Sequence, residues 1–238
     1  FTWITKASWN GIDLMPFAVA KAKDPNTYKD YTSVAKERIA NEKWFDSDHI
    51  IALSLLRDMG ALGAAGDRHL AEFVPWYLPS EEHLHTFGVV RTPYQWRVRK
   101  AKEKRNKVFT EEDLVAVPTD EEGVDIIRAL MGDRTLLTNI NVKNEGQISY
   151  LPKGRVVESN GFISNNSIRP IIANDPPLAV QNLIRHVSDV QEMTLNAIEK
   201  QDDDLLFAAF LSDTLCTIER NKGKELSDKI LDTSNLRI

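Results

Sequence analysis

Residues 134–173 read RTLLTNINVKNEGQISYLPKGRVVESNGFISNNSIRPIIA, and this stretch decides the fold class. Short runs rich in β-forming residues alternate here with Gly146, Pro152, Gly154 and Gly161, a pattern typical of strands separated by turns. Short connections of this kind favour antiparallel neighbours, so we expect a small, mostly antiparallel sheet. The predicted strands are Leu136–Ile140, Arg155–Glu158 and Ile168–Ile172.

Helical patterns lie on both sides of this stretch. Upstream, apolar residues recur at helical spacing after Ile50, and a capping box at residues 119–122 opens another helix. Downstream, Pro176-Pro177 begins a long helix, and a further helix is predicted from Asp204 to Arg220, with Cys216 as buried filler. The sequence therefore predicts an α+β, helix-rich domain with a small, mostly antiparallel sheet.

Composition excludes several classes of protein. Of 238 residues, 42% are apolar and 27% charged, which excludes general disorder, and the net charge of −5 gives no overall attraction to nucleic acid or to an anionic membrane. The single cysteine excludes an internal disulfide and is typical of a reducing cytoplasm. No apolar run is long enough to span a membrane, and the first residues, Phe1–Lys6, lack the basic start and apolar stretch of a signal peptide. The chain starts at Phe1 and is expected to be part of a longer protein.

Four polar residues after a glycine-rich turn are the best candidates for chemistry. Asp67 could act as a general base, and Arg68, His69 and Glu72 could bind an anionic or hydroxyl-rich substrate. The alternative is purely structural, with Asp67 capping its own helix and His69 in ordinary hydrogen bonds. The residue types alone favour this alternative, because such a cluster has little specificity.

Three other patterns have a functional and a structural interpretation. His83 and His85 would share a face of a strand and could bind zinc, although surface histidines are the commoner case. The basic run Arg97–Lys107 suggests phosphate binding, but a solvated helix face or contact with an acidic patch of a sister subunit is favoured. The amide-rich run Asn139–Ile148 could bind sugar hydroxyls or satisfy its own turns.

Several segments in order resemble glycoside hydrolase family 4, the NAD- and metal-dependent glycosidases. Phe1–Ile4 looks like the continuation of the family's Gly-x-Asn-His motif, whose His should stand just before Phe1. Gly66–Leu78 looks like the family's active-site segment, and Asn139–Glu158 looks like the signature of its C-terminal domain. The resemblance covers essentially the whole chain. The opening FTWITKASW looks most like the α-galacturonidases, with α-galactosidases and α-glucosidases close behind.

This resemblance implies a domain organisation and a set of partners. Residues 1–238 would form the substrate-binding and oligomerisation domain, with the fold of the lactate dehydrogenase and family 4 C-terminal domains. The N-terminal dinucleotide-binding domain would be absent from this chain, which has no Gly-x-Gly-x-x-Gly. The implied cofactors are NAD and a divalent metal, Mn²⁺ first, whose Cys and His ligands are expected upstream of Phe1. The implied partners are an α-linked sugar or uronic acid, the N-terminal domain, and further copies in a homodimer or homotetramer.

The resemblance also implies a reaction, the hydrolysis of an α-galacturonide. In this family C3 of the sugar is oxidised, the C1–O bond is eliminated, water adds, and the hydride returns. By motif position Asp67 would be the base, although the family uses Tyr or Asp according to subgroup. Arg68, His69 and Glu72 would bind the substrate. The family's α-glucosidases have an Arg where this chain has Leu70, so Arg68 would hold the uronic carboxylate instead. The chain alone is expected to be inactive.

Two alternatives of other kinds stay open at the level of sequence. One is a non-enzymatic interaction module that uses the basic Arg97–Lys107 helix, for which binding would weaken steeply with salt. The other is a different dehydrogenase with a similar C-terminal domain, which would accumulate NADH where a glycosidase would recycle its NAD⁺.

Overall fold

The computed structural model describes residues 50–63, 65–89, 93–115 and 122–234, together with the backbone of five short strands between Thr2 and Asp30 and three helical positions, 36, 37 and 40. Its helices are α1 Ile50–Met59, α2 Asp67–Phe73, α3 Glu82–Thr86, α4 Tyr94–Asn106, α5 Gly123–Leu130, α6 Leu178–Lys200, α7 Asp203–Ser212 and α8 Arg220–Ser234. Short 3₁₀ turns occur at Pro75–Tyr77 and Glu112–Leu114.

The strands form two antiparallel sheets. They are β1 Thr2–Ile4, β2 Ala7–Trp9, β3 Ile12–Met15, β4 Ala18–Lys21, β5 Tyr28–Asp30, β6 Leu62–Gly63, β7 Leu136–Lys143, β8 Val156–Ser164 and β9 Ser167–Pro170. The larger sheet has the order β6-β3-β2-β8-β7, and β9 pairs with β8. The smaller sheet has the order β1-β4-β5. The α+β class and the antiparallel sheet predicted from residues 134–173 are confirmed.

Strand β8 is longer than the sequence pattern predicted. It pairs with β7 from Leu136↔Ile163 to Lys143↔Val156, so Gly161 lies within the strand and does not separate two strands. A Cβ at Gly161 would collide with the Ile140 side chain on the neighbouring strand. Glycine is required at this position because Ile140 packs over the backbone, which a sequence pattern cannot distinguish from a turn signal.

The main core lies where α1, α2 and the first half of α6 meet. Ile51 and Leu55 of α1, Leu70 of α2, and Val180 and Ile184 of α6 are almost completely buried and belong to one cluster. Helix α6 begins at Leu178, directly after Pro177, as the Pro176-Pro177 signal predicted. No helix among the residues that the structure describes is long and apolar enough to cross a membrane.

The helix predicted from Asp204 to Arg220 is wrong in its second half. Helix α7 ends at Ser212, and a separate helix, α8, begins at Arg220. The break occurs because the Asp213 carboxylate accepts a hydrogen bond from the Leu215 N–H, a local turn that competes with helix continuation. Cys216 therefore lies in a connecting turn and is only half-buried, so it is not a helical core residue.

In the amide-rich run Asn139–Ile148, the Asn144 side chain makes the hydrogen bonds of the turn between β7 and β8. Asn144 is completely buried, and its Nδ2 donates to the carbonyls of Ile148, Leu151 and Pro152 at 2.9–3.1 Å. Its Oδ1 accepts from the N–H groups of Gly146 and Ile148 at 3.1 Å. The Asn144 side chain thus holds the β7–β8 connection together. At this position the amide satisfies its own turn, which is the structural interpretation of the run.

This arrangement predicts a large difference between two asparagines of the same segment. Asn144→Ala should lower the free energy of unfolding by about 2–4 kcal/mol, because several buried backbone groups lose their partners. Asn141→Ala, at an exposed position of β7, should change it by less than about 0.5 kcal/mol. Urea denaturation of both variants measures the difference. Equal effects would contradict the role given to Asn144.

Candidate functional site

The candidate site is built on helix α2. Gly66 is the N-cap residue of this helix and, having no side chain, makes no side-chain capping hydrogen bond. Asp67 is the first helical residue. Leu70 and Ala71 are fully buried and fix the helix against the core. A Cβ at Gly63 would lie 2.5 Å from the Leu70 side chain, so the glycine there permits close packing of β6 on α2.

Asp67 joins two helices. One oxygen of its carboxylate accepts a hydrogen bond from the Ile51 N–H at 2.9 Å, and the other accepts from the Ala52 N–H at 3.0 Å. Both donors belong to the first turn of α1, whose N–H groups have no partner within their own helix. The structural alternative from sequence was therefore wrong in one respect: Asp67 caps α1, about 15 residues earlier in the chain, and not its own helix.

The other three predicted residues lie on the outer side of α2. Arg68, His69 and Glu72 are all exposed, and His69 Nδ1 is 3.6 Å from a Glu72 oxygen. Glu72 also lines a cavity of about 480 Å³ between α2, α6 and the turn after α7, which Asp213 lines from the other side. The four predicted residues thus lie on two neighbouring helical turns, where Asp67 is half-buried against α1 and Arg68, His69 and Glu72 are exposed.

A buried tyrosine beside the site was not identified from sequence. Tyr77 is 4% exposed and shares a hydrogen bond with the Ser54 hydroxyl of α1, which itself donates to the Ile51 carbonyl at 2.9 Å. Burial raises the pKa of Tyr77, and the hydrogen bond with Ser54 opposes this shift. One turn further along α1, a hydrogen bond from Arg57 lowers the pKa of Asp58. The Pro75-Trp76-Tyr77 signal could have identified the tyrosine, but nothing in the sequence indicates Ser54 as its partner.

A second tyrosine provides a contrast. The Tyr150 hydroxyl is buried and has no hydrogen-bond partner among the described residues, and the Arg185 guanidinium lies 5.6 Å from the ring centroid. Burial raises the pKa of Tyr150 further above its ordinary value than it does for Tyr77. The difference that matters for stability is that the buried Tyr77 hydroxyl has a hydrogen-bond partner, whereas the buried Tyr150 hydroxyl has none among the described residues.

The two-histidine pattern does not form a metal site in this structure. His83 and His85 lie on the short helix α3, where residues two apart point to different sides, and His83 Nδ1 is 2.8 Å from the Ser80 hydroxyl. Across the described ranges 50–63, 65–89, 93–115 and 122–234, no group of three His, Cys, Asp or Glu side chains could hold a metal ion.

Among the residues that the structure describes, no set fits a resident NAD or metal. The glycine spacing at Gly60, Gly63 and Gly66 is not a phosphate-binding pattern, and Leu70 already fills the space at Gly63. A metal would need a ligand group that the described residues lack.

Comparison with known proteins identifies the family. The model of the family 4 glycosyl hydrolase C-terminal domain matches residues 1–216. The chain belongs to glycosyl hydrolase family 4. The matched region includes α1, α2 and the whole of the larger sheet, so the resemblance drawn from the Gly66–Leu78 and Asn139–Glu158 segments is confirmed.

The chain is similar in sequence to curated proteins named α-galacturonidase. It is 36% identical to an α-galacturonidase of Thermoanaerobacterium saccharolyticum over 98% of its length, and 36% identical to an α-galacturonidase of Bacillus subtilis over 97%. An α-galactosidase of Rhizobium meliloti is 28% identical over 74%. The chain spans about half the length of the α-galacturonidases, 51% and 52%.

Solved structures agree on the fold. The crystal structure of lplD from Bacillus subtilis, assigned as a glucosidase, superposes with a TM-score of 0.82 at 30% identity and covers 96% of this chain and 55% of that one. A 6-phospho-β-glucosidase of Thermotoga maritima, crystallised with manganese, NAD⁺ and glucose-6-phosphate, gives a TM-score of 0.67 at 16% identity, over 100% of this chain and 53% of that one. The second likeness concerns the fold alone.

The two buried tyrosines predict opposite outcomes for the same substitution. Tyr77→Phe should lower the free energy of unfolding by about 1–2 kcal/mol, because the Ser54 hydroxyl loses its donor in a buried site. Tyr150→Phe should leave it unchanged or raise it by up to about 1 kcal/mol, because it removes a buried hydroxyl without a partner. Urea denaturation at pH 7 compares the two. Destabilisation by Tyr150→Phe as large as that by Tyr77→Phe would contradict the assigned contacts.

Proposed function

We propose that this chain is the C-terminal half of an NAD- and divalent-metal-dependent glycosidase that hydrolyses α-galacturonides. The observation that carries the proposal is the 36% identity to α-galacturonidases along 97–98% of the chain. Identity to the α-galactosidase of Rhizobium meliloti is lower and covers less of the chain, which makes an α-galactoside the second candidate substrate. A cytoplasmic location and a homo-oligomer are part of the proposal.

Within this proposal Asp67 is the catalytic base. Its carboxylate offers about four lone-pair positions, and the two hydrogen bonds from α1 use only one on each oxygen. The same hydrogen bonds restrict the rotation of the side chain, so the remaining lone pairs keep a constant direction. A base needs this positioning within hydrogen-bond reach of the proton that it removes.

Arg68, His69 and Glu72 bind the substrate in this proposal. A guanidinium matches a planar carboxylate with two parallel hydrogen bonds, so Arg68 would distinguish a uronic acid from a neutral sugar. The His69–Glu72 pair would accept and donate hydrogen bonds to sugar hydroxyls, and the cavity beside Glu72 has room for a pyranose ring.

The cofactor part of the proposal rests on relatives. A 6-phospho-α-glucosidase of gut microorganisms, 14% identical, was crystallised with NAD and Mn²⁺. When bound, such a cofactor pair supplies hydride transfer and electrostatic stabilisation of the charge that develops on the oxidised sugar. We place both binding sites in the half of the enzyme that this chain does not contain, and assign to this chain the binding and orientation of the sugar.

The proposed activity is tested on the parent protein. It is incubated with p-nitrophenyl α-galacturonide or p-nitrophenyl α-galactoside, Mn²⁺ and a thiol reductant, with and without NAD⁺, and the release of nitrophenol is followed. We expect NAD⁺-dependent release from the galacturonide, at least about tenfold faster than from the galactoside, and no net NADH. Net NADH production would instead identify a dehydrogenase, and release independent of NAD⁺ would contradict the cofactor proposal.

The role of Arg68 gives a sharper prediction. Arg68→Gln should reduce kcat/KM for the galacturonide by about 10–100-fold, because a charge-assisted pair with the carboxylate is lost, and should change kcat/KM for the galactoside by less than about threefold. Arg128→Gln, at an exposed arginine of α5 paired with Asp133, is the matched control and should affect neither. Equal losses on the two substrates would mean that Arg68 does not recognise the carboxylate.

A further inference from the structure

One peptide group of α1 makes side-chain hydrogen bonds through both of its polar atoms. This is the peptide between Ile51 and Ala52, which consists of the Ile51 carbonyl and the Ala52 N–H. The Ala52 N–H donates to Asp67 Oδ1 at 3.0 Å, and the Ile51 carbonyl accepts from the Ser54 hydroxyl at 2.9 Å. Because a peptide group is planar, the hydrogen bond to the carbonyl also fixes the direction of the N–H that holds Asp67.

The Ser54 hydroxyl is itself held by Tyr77. A serine hydroxyl has one proton, and Ser54 donates it to the Ile51 carbonyl, so the Tyr77 hydroxyl is the donor in the 2.5 Å hydrogen bond between the two side chains. The series of donors therefore runs from Tyr77 to Ser54 to the Ile51 carbonyl. All three residues are buried, and hydrogen bonds in series polarise and strengthen one another in such surroundings.

Tyr77 is fixed by contacts of its own. It ends the 3₁₀ turn Pro75–Tyr77 that follows α2, and its N–H donates to the Val74 carbonyl at 3.2 Å. The rings of Tyr77 and Phe87 pack edge to face, with 5.0 Å between their centroids. The segment from Asp67 to Tyr77 thus holds the Ile51–Ala52 peptide on its N–H side directly and on its carbonyl side through Ser54.

We propose that Tyr77 and Ser54 are positioning residues for Asp67. This inference rests on the proposed function, in which the Asp67 carboxylate is the base. The Tyr77–Ser54 pair fixes the plane of the Ile51–Ala52 peptide and polarises it, which makes the Ala52 N–H a stronger donor to Asp67 Oδ1. In this role neither side chain needs to touch the substrate, because both act through the peptide.

The second hydrogen bond on the same carboxylate provides an internal reference. Asp67 Oδ2 accepts from the Ile51 N–H at 2.9 Å, and this N–H belongs to the preceding peptide. The Ser54 hydroxyl bonds to the Ile51 carbonyl, so its polarising effect reaches the Ala52 N–H and not the Ile51 N–H. A general loosening of the first turn of α1 would instead weaken both hydrogen bonds. The two amides therefore separate positioning by the pair from a loss of stability.

The first test measures these two amides in the parent protein. With ¹⁵N-labelled alanine and isoleucine, Ser54→Ala and Tyr77→Phe should each move the Ala52 amide proton upfield, as expected for a weaker hydrogen bond. Both variants should leave the Ile51 amide proton in place. Tyr150→Phe is the matched control, because it removes a buried hydroxyl that has no partner among the described residues, and it should move neither proton.

The second test asks whether the same change reaches the reaction. In the NAD⁺-dependent assay with p-nitrophenyl α-galacturonide, Ser54→Ala and Tyr77→Phe should each lower kcat about three- to tenfold and keep KM within about twofold, because the position of the base acts on the reaction step. The double variant S54A/Y77F should lose no more than about twofold beyond S54A alone, since both residues act through one hydroxyl. Tyr150→Phe should retain the kcat of the unsubstituted enzyme.

Three results would overturn the proposal. The first is an Ala52 amide proton that stays in place in both variants, and the second is one that moves together with the Ile51 amide proton. The third is a selective shift at Ala52 with an unchanged kcat. Asp67→Asn distinguishes these failures from a failure of the proposed function: full activity in Asp67→Asn would refute Asp67 as the base, whereas the amide shifts test the hydrogen-bond series whatever the base is.

Discussion

The carboxylate of Asp67 is the interaction on which the rest of the site depends. It accepts hydrogen bonds from the first turn of α1 while it is itself the first residue of α2, so one side chain fixes the start of both helices. A negative charge at a helix N-terminus is also favoured by the helix dipole. Because α1 supplies Ile51 and Leu55 to the core and α2 supplies Leu70, this contact aligns the two elements that the core packs together.

The contacts between α1 and α2 that stabilise the fold also support the proposed substrate-binding surface. Helix α1 carries Ser54, which bonds to Tyr77 just after α2, so the two helices are joined at both the Asp67 end and the Tyr77 end. The exposed side of α2, with Arg68, His69 and Glu72, is therefore held on a rigid support. A substrate-binding surface gains from such support because its geometry does not have to be ordered at the time of binding.

The parts of the fold that depend on local chemistry could be predicted from the sequence. The Pro176-Pro177 signal placed α6 correctly, because proline fixes the backbone angle at a helix start. The short runs of β-forming residues after Arg134 predicted the strands β7, β8 and β9, and the family resemblance predicted the fold. Asp67, Arg68, His69 and Glu72 could be grouped from the sequence because they are close neighbours along the chain, and their role stays a prediction.

The parts that depend on distant contacts could not be predicted. Nothing in the sequence near Asp67 indicates that its capping partners are Ile51 and Ala52, since that pairing arises only when α1 and α2 pack. Gly161 was misinterpreted because the Ile140 side chain that requires it belongs to another strand. The end of α7 at Ser212 was missed because the Asp213 turn competes with an apolar pattern that continues through Leu215 and Ile218.

The most direct measurement of the central claim is amide hydrogen exchange at Ile51 and Ala52 in the parent protein and in Asp67→Ala. The account predicts a selective loss of protection at these two amides, with the middle of α1 still protected. Unchanged protection at Ile51 and Ala52 would contradict it.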